Sequence, residues 1–210
     1  LLFAYTAEGQ TDGDRPLENA TYFTRLGRQV VQLLSEPSAE GFAYRVDLRL
    51  RPNGDRAPLA LSLGAMEQYY QLQGREWERY ALIKARPVAG DREQGEELLE
   101  TLRPFVYRRY LDFSAVEAVR DLKTQIQREV HKRHVDDIKL GRGGIREVEF
   151  IVQAFQLLHG GRQPPLRARP TLTVLAELAD EEILPARDAA DLHDAYLFLR
   201  RVENHLQMAD

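Results

Sequence analysis

The chain has 210 residues, 43% of them apolar, with 33 acidic against 29 basic side chains and no cysteine. These numbers allow a well-filled core in one large domain or two small ones. They exclude disulfides and thiolate metal sites, and they argue against a strongly basic nucleic-acid binder. No run approaches the roughly 18 uncharged apolar residues of a membrane helix, and no basic-then-apolar leader opens the chain. A soluble, cytoplasmic protein with neither a membrane nor a nucleic-acid partner is therefore expected. It opens on Leu1, straight into an apolar run, and is expected to be a piece of a longer chain.

Taken in order, "LLFAYTA" reads as a buried strand that ends in the polar loop "EGQTDGDRP". Pro16 suits the first turn of a helix. Phe23, Leu26, Val30 and Leu33 then recur at helical spacing up to the turn "EPSAEG". A second strand is expected over 42–52, with Phe42, Tyr44, Val46, Leu48 and Leu50 on one side and Arg45, Asp47, Arg49 and Arg51 on the other, stopped by Pro52-Asn53-Gly54. Two helices broken at Gly74 follow. From Arg92 onward every recognisable segment is helical: 96–107, 114–133, 145–159, 172–178 and 187–207. In the last, Leu192, Ala195, Leu199, Val202 and Leu206 keep a three-four spacing suited to a bundle. The fold class is α+β, a mixed front over 1–90 and an all-helical bundle over 91–210.

Aspartate is a poor strand former, so Asp47 among three arginines asks for a reason. Two readings fit: a solvated face of ion pairs, or a site where the carboxylate holds a cation and the arginines neutralise phosphate oxygens. In "DDIKLGRGGIREVEF", glycines 141, 143 and 144 feed a helix. They make either a plain capping turn or an anion site built from amide hydrogens with Lys139 beside it. On that helix Arg146, Glu149, Gln153 and Gln156 form a polar stripe, whereas Glu147 aligns with Phe150, Ile151, Ala154 and Leu158. A carboxylate there needs an arginine, a lysine or a bound group as partner. In "REWERYALIKAR", Trp77, Tyr80, Ala81 and Lys84 share a side that reads as core, with Glu78 apart. His131 and His134 share a helix face but lack a third ligand for a metal.

Three motifs in order, "YRVDLRLRP", "WERYALIKAR" and "KLGRGGIREVEFIVQ", resemble the bacterial glutamine synthetase adenylyltransferase/deadenylase family. The likeness runs from "LLFAY" through "FVYRRYLDFS" to "YLFLRRVENHLQ". "WERYALIKAR", "GGIREVEF" and "LHGGR" look like the half that removes the adenylyl group. The resemblance implies a nucleotidyltransferase-type domain followed by a helical bundle. It also implies two divalent cations, Mg2+ or Mn2+, held by three carboxylates. Asp47 matches the third of these, and the Asp-x-Asp pair is expected immediately before Leu1, which makes the segment inactive alone.

The implied reaction is phosphorolysis, in which inorganic phosphate attacks the adenylyl phosphorus on a glutamine synthetase tyrosine and releases ADP and the phenol. A phenol with a pKa of about 10 needs little protonation to leave, so electrostatics should dominate. Arg49 and Arg51 are implied phosphate contacts, and Lys84, Lys139, Glu147 and Glu149 are implied cleft residues. Two alternatives are the adenylylating half, which uses ATP, and a docking module. The docking module would bind a PII-type signalling protein, or the other half of its own chain, through faces such as Arg108, Arg109, Arg200 and Arg201.

Overall fold

The structure is a computed structural model, and it describes residues 1–37, 39, 41, 43–54, 57–109, 117, 120–121, 123–124 and 137–209. The expected helix over 114–133 lies largely outside these residues, as do His131 and His134. The chain forms two compact units, one of Leu1–Glu78 with Arg86–Phe105, the other of Arg79–Ala85 with Val106–Asp210. The units are interleaved in sequence. The compositional boundary near Gly90 falls between two of the points where the chain passes from one unit to the other.

In the front unit, strand β1 (Phe3–Tyr5) pairs in parallel with β2 (Ala60–Ser62), placing Phe3 opposite Ala60 and Tyr5 opposite Ser62. A parallel pair needs a crossover, and helix α1 (Asn19–Ser35) lies within it. The helix packs through Phe23, whose ring stacks on Tyr5 at 5.1 Å, and through Gly27, where a Cβ would lie 3.2 Å from Leu59 Cδ2. Pro16 lies outside α1, contrary to expectation. The backbone bonds Thr11 N to Leu17 O and Asn19 N to Gly9 O close a loop that holds Pro16 before the helix begins.

The strand expected over 42–52 does not form among the described residues. Asp47 Oδ1 accepts the amide of Arg49 at 2.9 Å, and Arg51 N donates to Leu48 O, so local turns replace the ladder. The second strand is β2 instead. Only part of the expected alternation survives: Val46 and Leu48 are half-buried, but Tyr44 is 70% exposed.

Helix α2 (Leu63–Leu72) starts where Ser62 Oγ accepts the amide of Ala65, and it buries Met66, Tyr69 and Tyr70. The break at Gly74 is real, because a Cβ there would lie 2.6 Å from Tyr70 O and would run into the Phe105 ring. Helix α3 (Glu76–Leu82) follows, and α4 (Arg92–Val106) begins earlier than the expected 96, with Asp91 Oδ1 accepting Gln94 N at 3.1 Å.

The rear unit contains α5 (Ile145–His159), a 3-10 turn (Pro164–Arg167), α6 (Thr171–Asp180) and α7 (Ala186–Ala209). Val152, Leu166, Val174, Leu175 and Leu178 form its core, with Phe155, Leu172, Ile183, Leu184 and Leu192 packed around them. The inner line of α7 differs from the expected stripe. Ala195 and Leu206 are exposed, whereas Ala189 and Glu203 are buried and Leu192, Tyr196 and Leu199 half-buried. Among the described residues no helix is long and apolar enough to cross a membrane.

Candidate functional site

Asp47 sits in the front unit on the irregular segment before the Arg49–Gly54 turns. Its carboxylate is gripped by Arg49, with Nε at 3.1 Å from both oxygens and Nη2 at 2.6 Å from Oδ2. The Arg49 guanidinium, helped by the Arg49 amide, holds the Asp47 carboxyl down to about 2. The group is therefore an anion at any ordinary pH and is unsuited to proton transfer. Leu1 N donates to Asp47 O at 2.6 Å, which puts the backbone of β1's leading residues directly beside Asp47. Arg51 turns elsewhere, with Nη1 on Leu48 O at 3.0 Å.

Those residues do not fit a two-cation centre by themselves. Asp47 is one carboxylate already neutralised by a guanidinium, and among the described residues no three His, Cys, Asp or Glu side chains converge as a metal would need.

In the rear unit the glycine turn resolves as a cap. Gly141 N bonds Asp137 O, Gly143 N bonds Glu147 Oε2 at 2.9 Å, Gly144 N bonds Gly141 O, and the amides of Ile145 and Arg146 bond Ile138 O and Lys139 O. These amides are spent within the chain. Glu147, whose position predicts a cation or bound group as partner, meets the Gly143 amide instead. Its charge also favours the positive end of α5. Lys139 Nζ reaches Glu203 Oε1 at 3.2 Å, and Arg200 Nη1 takes the other oxygen at 2.7 Å.

Lys84 lies in the turn after α3 rather than on the helix side shared by Trp77 and Tyr80. Its Nζ bonds Arg169 O and lies 3.5 Å from Thr171 Oγ1. Burial pushes its pKa down, and the charge of Glu149 pushes it back up. Glu149 Oε1 also accepts the Tyr196 phenol at 3.1 Å, while burial drives the Tyr80 phenol up to about 12. Lys84 and Glu149 thus share one half-buried polar cluster, whereas Lys139 pairs with Glu203 on α7.

Several buried polar side chains were missed. The stripe containing Gln153 and Gln156 faces inward: Gln156 is 0% exposed, and its Nε2 donates to Leu166 O at 2.6 Å and to Ala168 O at 2.8 Å. Gln156 aligns helically with Ile145 and Val152, and that spacing was the available signal. Arg79, also buried, donates to Val106 O. Glu78 is 1% exposed, accepting the Tyr69 phenol at 2.9 Å and the Arg75 amide at 2.8 Å. Beside that pair Asn53, Gly54, Pro58, Tyr69, Arg75 and Trp77 border a cavity of about 530 Å³, of which Asp47 is not a wall.

An α+β front carrying a charged Asp47–Arg49 pair is thus followed in one chain by a helical rear. Residues 1–101 match the glutamate-ammonia ligase adenylyltransferase family, and residues 120–210 match the GlnD PII-uridylyltransferase family. Over all 210 residues the chain is 58% identical to the bifunctional glutamine synthetase adenylyltransferase/adenylyl-removing enzyme of Thioalkalivibrio sulfidiphilus. Over 209 residues it is 55% identical to the enzyme of that name from Hahella chejuensis and 56% identical to that from Xanthomonas campestris. The chain covers 99–100% of its own length in these alignments but spans only 22% of each relative. The chain belongs to the glutamate-ammonia ligase adenylyltransferase family, as a segment about a fifth the length of these relatives.

Proposed function

We propose that the chain is part of an adenylyl-removing module, in which inorganic phosphate attacks the adenylyl phosphorus on a glutamine synthetase tyrosine. The new bond joins phosphate to the adenylyl group as ADP, and the bond that breaks frees the tyrosine phenol. The observation that carries the reading is the end-to-end match to bifunctional adenylyltransferase/adenylyl-removing enzymes. The motifs "WERYALIKAR", "GGIREVEF" and "LHGGR" favour the removing half over the transferring half.

Asp47 supports this reading by its chemistry. Held ionised by Arg49, it remains a carboxylate at the pH of the reaction, the form a phosphoryl-transfer centre uses. The Leu1 amine lies against the Asp47 backbone, so residues ahead of Leu1 in a longer chain would enter beside it. Mg2+ or Mn2+ would need carboxylates beyond those of this segment, and no step is assigned to it.

The match of residues 120–210 to a family named for PII uridylylation supports a PII-type signalling protein as regulator.

The test places Asp47→Asn in the family-length protein, supplied with adenylylated glutamine synthetase, inorganic phosphate and Mg2+ or Mn2+. ADP release should fall by about 100-fold or more, the scale of losing one charge at a phosphoryl centre, with circular dichroism unchanged. Undiminished ADP release refutes the role of Asp47. Pyrophosphate release from ATP, without phosphate-dependent ADP formation, would assign the segment to the transferring half.

A further inference from the structure

The misfit between Asp47 and a two-cation centre has a definite cause in Arg49. Asp47 Oδ1 takes the Arg49 amide at 2.9 Å and Arg49 Nε at 3.1 Å, while Oδ2 takes Nε at 3.1 Å and Nη2 at 2.6 Å. A carboxylate offers about four lone-pair positions, so these contacts cover both oxygens. A divalent cation would take the same lone pairs, and the guanidinium and the cation therefore exclude each other. The local turn builds the arrangement. The amide bond draws Arg49 back onto Asp47, and the planar fork then lies along the carboxylate. Arg51 goes to Leu48 O instead.

We infer that Arg49 is a built-in competitor for Asp47: its guanidinium closes the carboxylate against a divalent cation, and Asp47 can serve as a ligand only when Arg49 swings off it. The inference rests on the reading of Asp47 as a carboxylate of an adenylyl-removing centre, and it adds what regulates that carboxylate. Both side chains are exposed, 73% for Arg49 and 49% for Asp47, so water screens the contact and it yields to modest competition. In a longer chain that brought more carboxylates beside Asp47, the same guanidinium would set how much cation is needed to displace it.

The 210-residue chain, labelled with carbon-13 at its aspartate carboxyls and titrated with Mn2+, provides the test, because bound Mn2+ broadens the carboxyl signal it touches. Asp91 is the internal reference. It is exposed, and its carboxylate accepts Gln94 N at 3.1 Å and Gln94 Nε2 at 2.9 Å, both neutral donors. In the wild-type chain Asp91 should broaden at lower Mn2+ than Asp47. Arg49→Ala, an exposed change, should bring Asp47 to half-broadening at about fivefold less Mn2+. Arg45→Ala removes an exposed charge without touching the contact, and should shift that concentration by less than about twofold. Asp47 broadening ahead of Asp91 in the wild-type chain, no gain in Arg49→Ala, or an equal gain in Arg45→Ala overturns the inference. None of these outcomes depends on ADP release, so this inference and the adenylyl-removing reading fail separately.

Discussion

Glu78 should be the most sensitive charged position of the front unit. Glu78→Ala strands the Tyr69 phenol and the Arg75 amide, which it now accepts at 2.9 and 2.8 Å. A buried donor left without a partner costs about 1–3 kcal/mol. Tyr69 is buried and should bear that cost, whereas Arg75 lies at the surface, where water can replace the carboxylate. The lost methylenes add about 1–2 kcal/mol, and relief from burying a charge offsets part of the sum, leaving about 2–4 kcal/mol. Glu78→Gln keeps the shape. Its carbonyl can accept Arg75 N and its amide can donate to the Tyr69 oxygen, so the cost should be about 1 kcal/mol. Urea unfolding followed by Trp77 emission, one residue away, measures both. A Glu78→Ala cost below about 1 kcal/mol, or a Gln variant as unstable as Ala, refutes the view that this carboxylate organises the corner.

Two further outcomes follow from the geometry. The Asp47 carboxyl should titrate at about 2, against an ordinary 3.8. Because the folded value lies below the unfolded one, the stability from the pair is complete above about pH 4 and fades as pH falls through about 2. Both partners are exposed, so that contribution is small. Arg49→Ala should return the midpoint toward 3.8 in carboxyl-detected NMR, and an unmoved midpoint contradicts the assignment to Arg49. Gly161→Ala would push a Cβ into Arg108 O and to 2.9 Å from Arg109 N, both backbone atoms. It should cost about 3 kcal/mol and lower Tm by about 6–12 °C. Gly64→Ala on α2, with nothing among the described residues within 4 Å, should be neutral or stabilising, and equal melting shifts in the two variants would contradict the packing argument.

The helices were the most legible part of the sequence. Their apolar spacing placed α5, α6 and α7 within a residue or two, and Gly74 broke α2 from α3 where expected. The strand over 42–52 failed for a local reason. Among the described residues only Val46 and Leu48 keep the expected inward side, and Asp47 closes a turn onto Arg49 that a ladder cannot accommodate. The candidate residues were legible as types and not as partners. Lys139 found Glu203 more than sixty residues away, and Glu147 found a backbone amide.

The sequence by itself determined the family, the α+β front with its helical rear, and Asp47 as the carboxylate to examine, because motif order and helical period are local properties that survive in one dimension. Only the tertiary structure decided which charges are buried and what satisfies them. Glu78, Arg79, Gln156 and Glu203 lie inside because particular carbonyls, amides, a phenol and cationic side chains face them there. A buried polar group is tolerated only where its partner already sits, and that partner's position is a property of the packed chain.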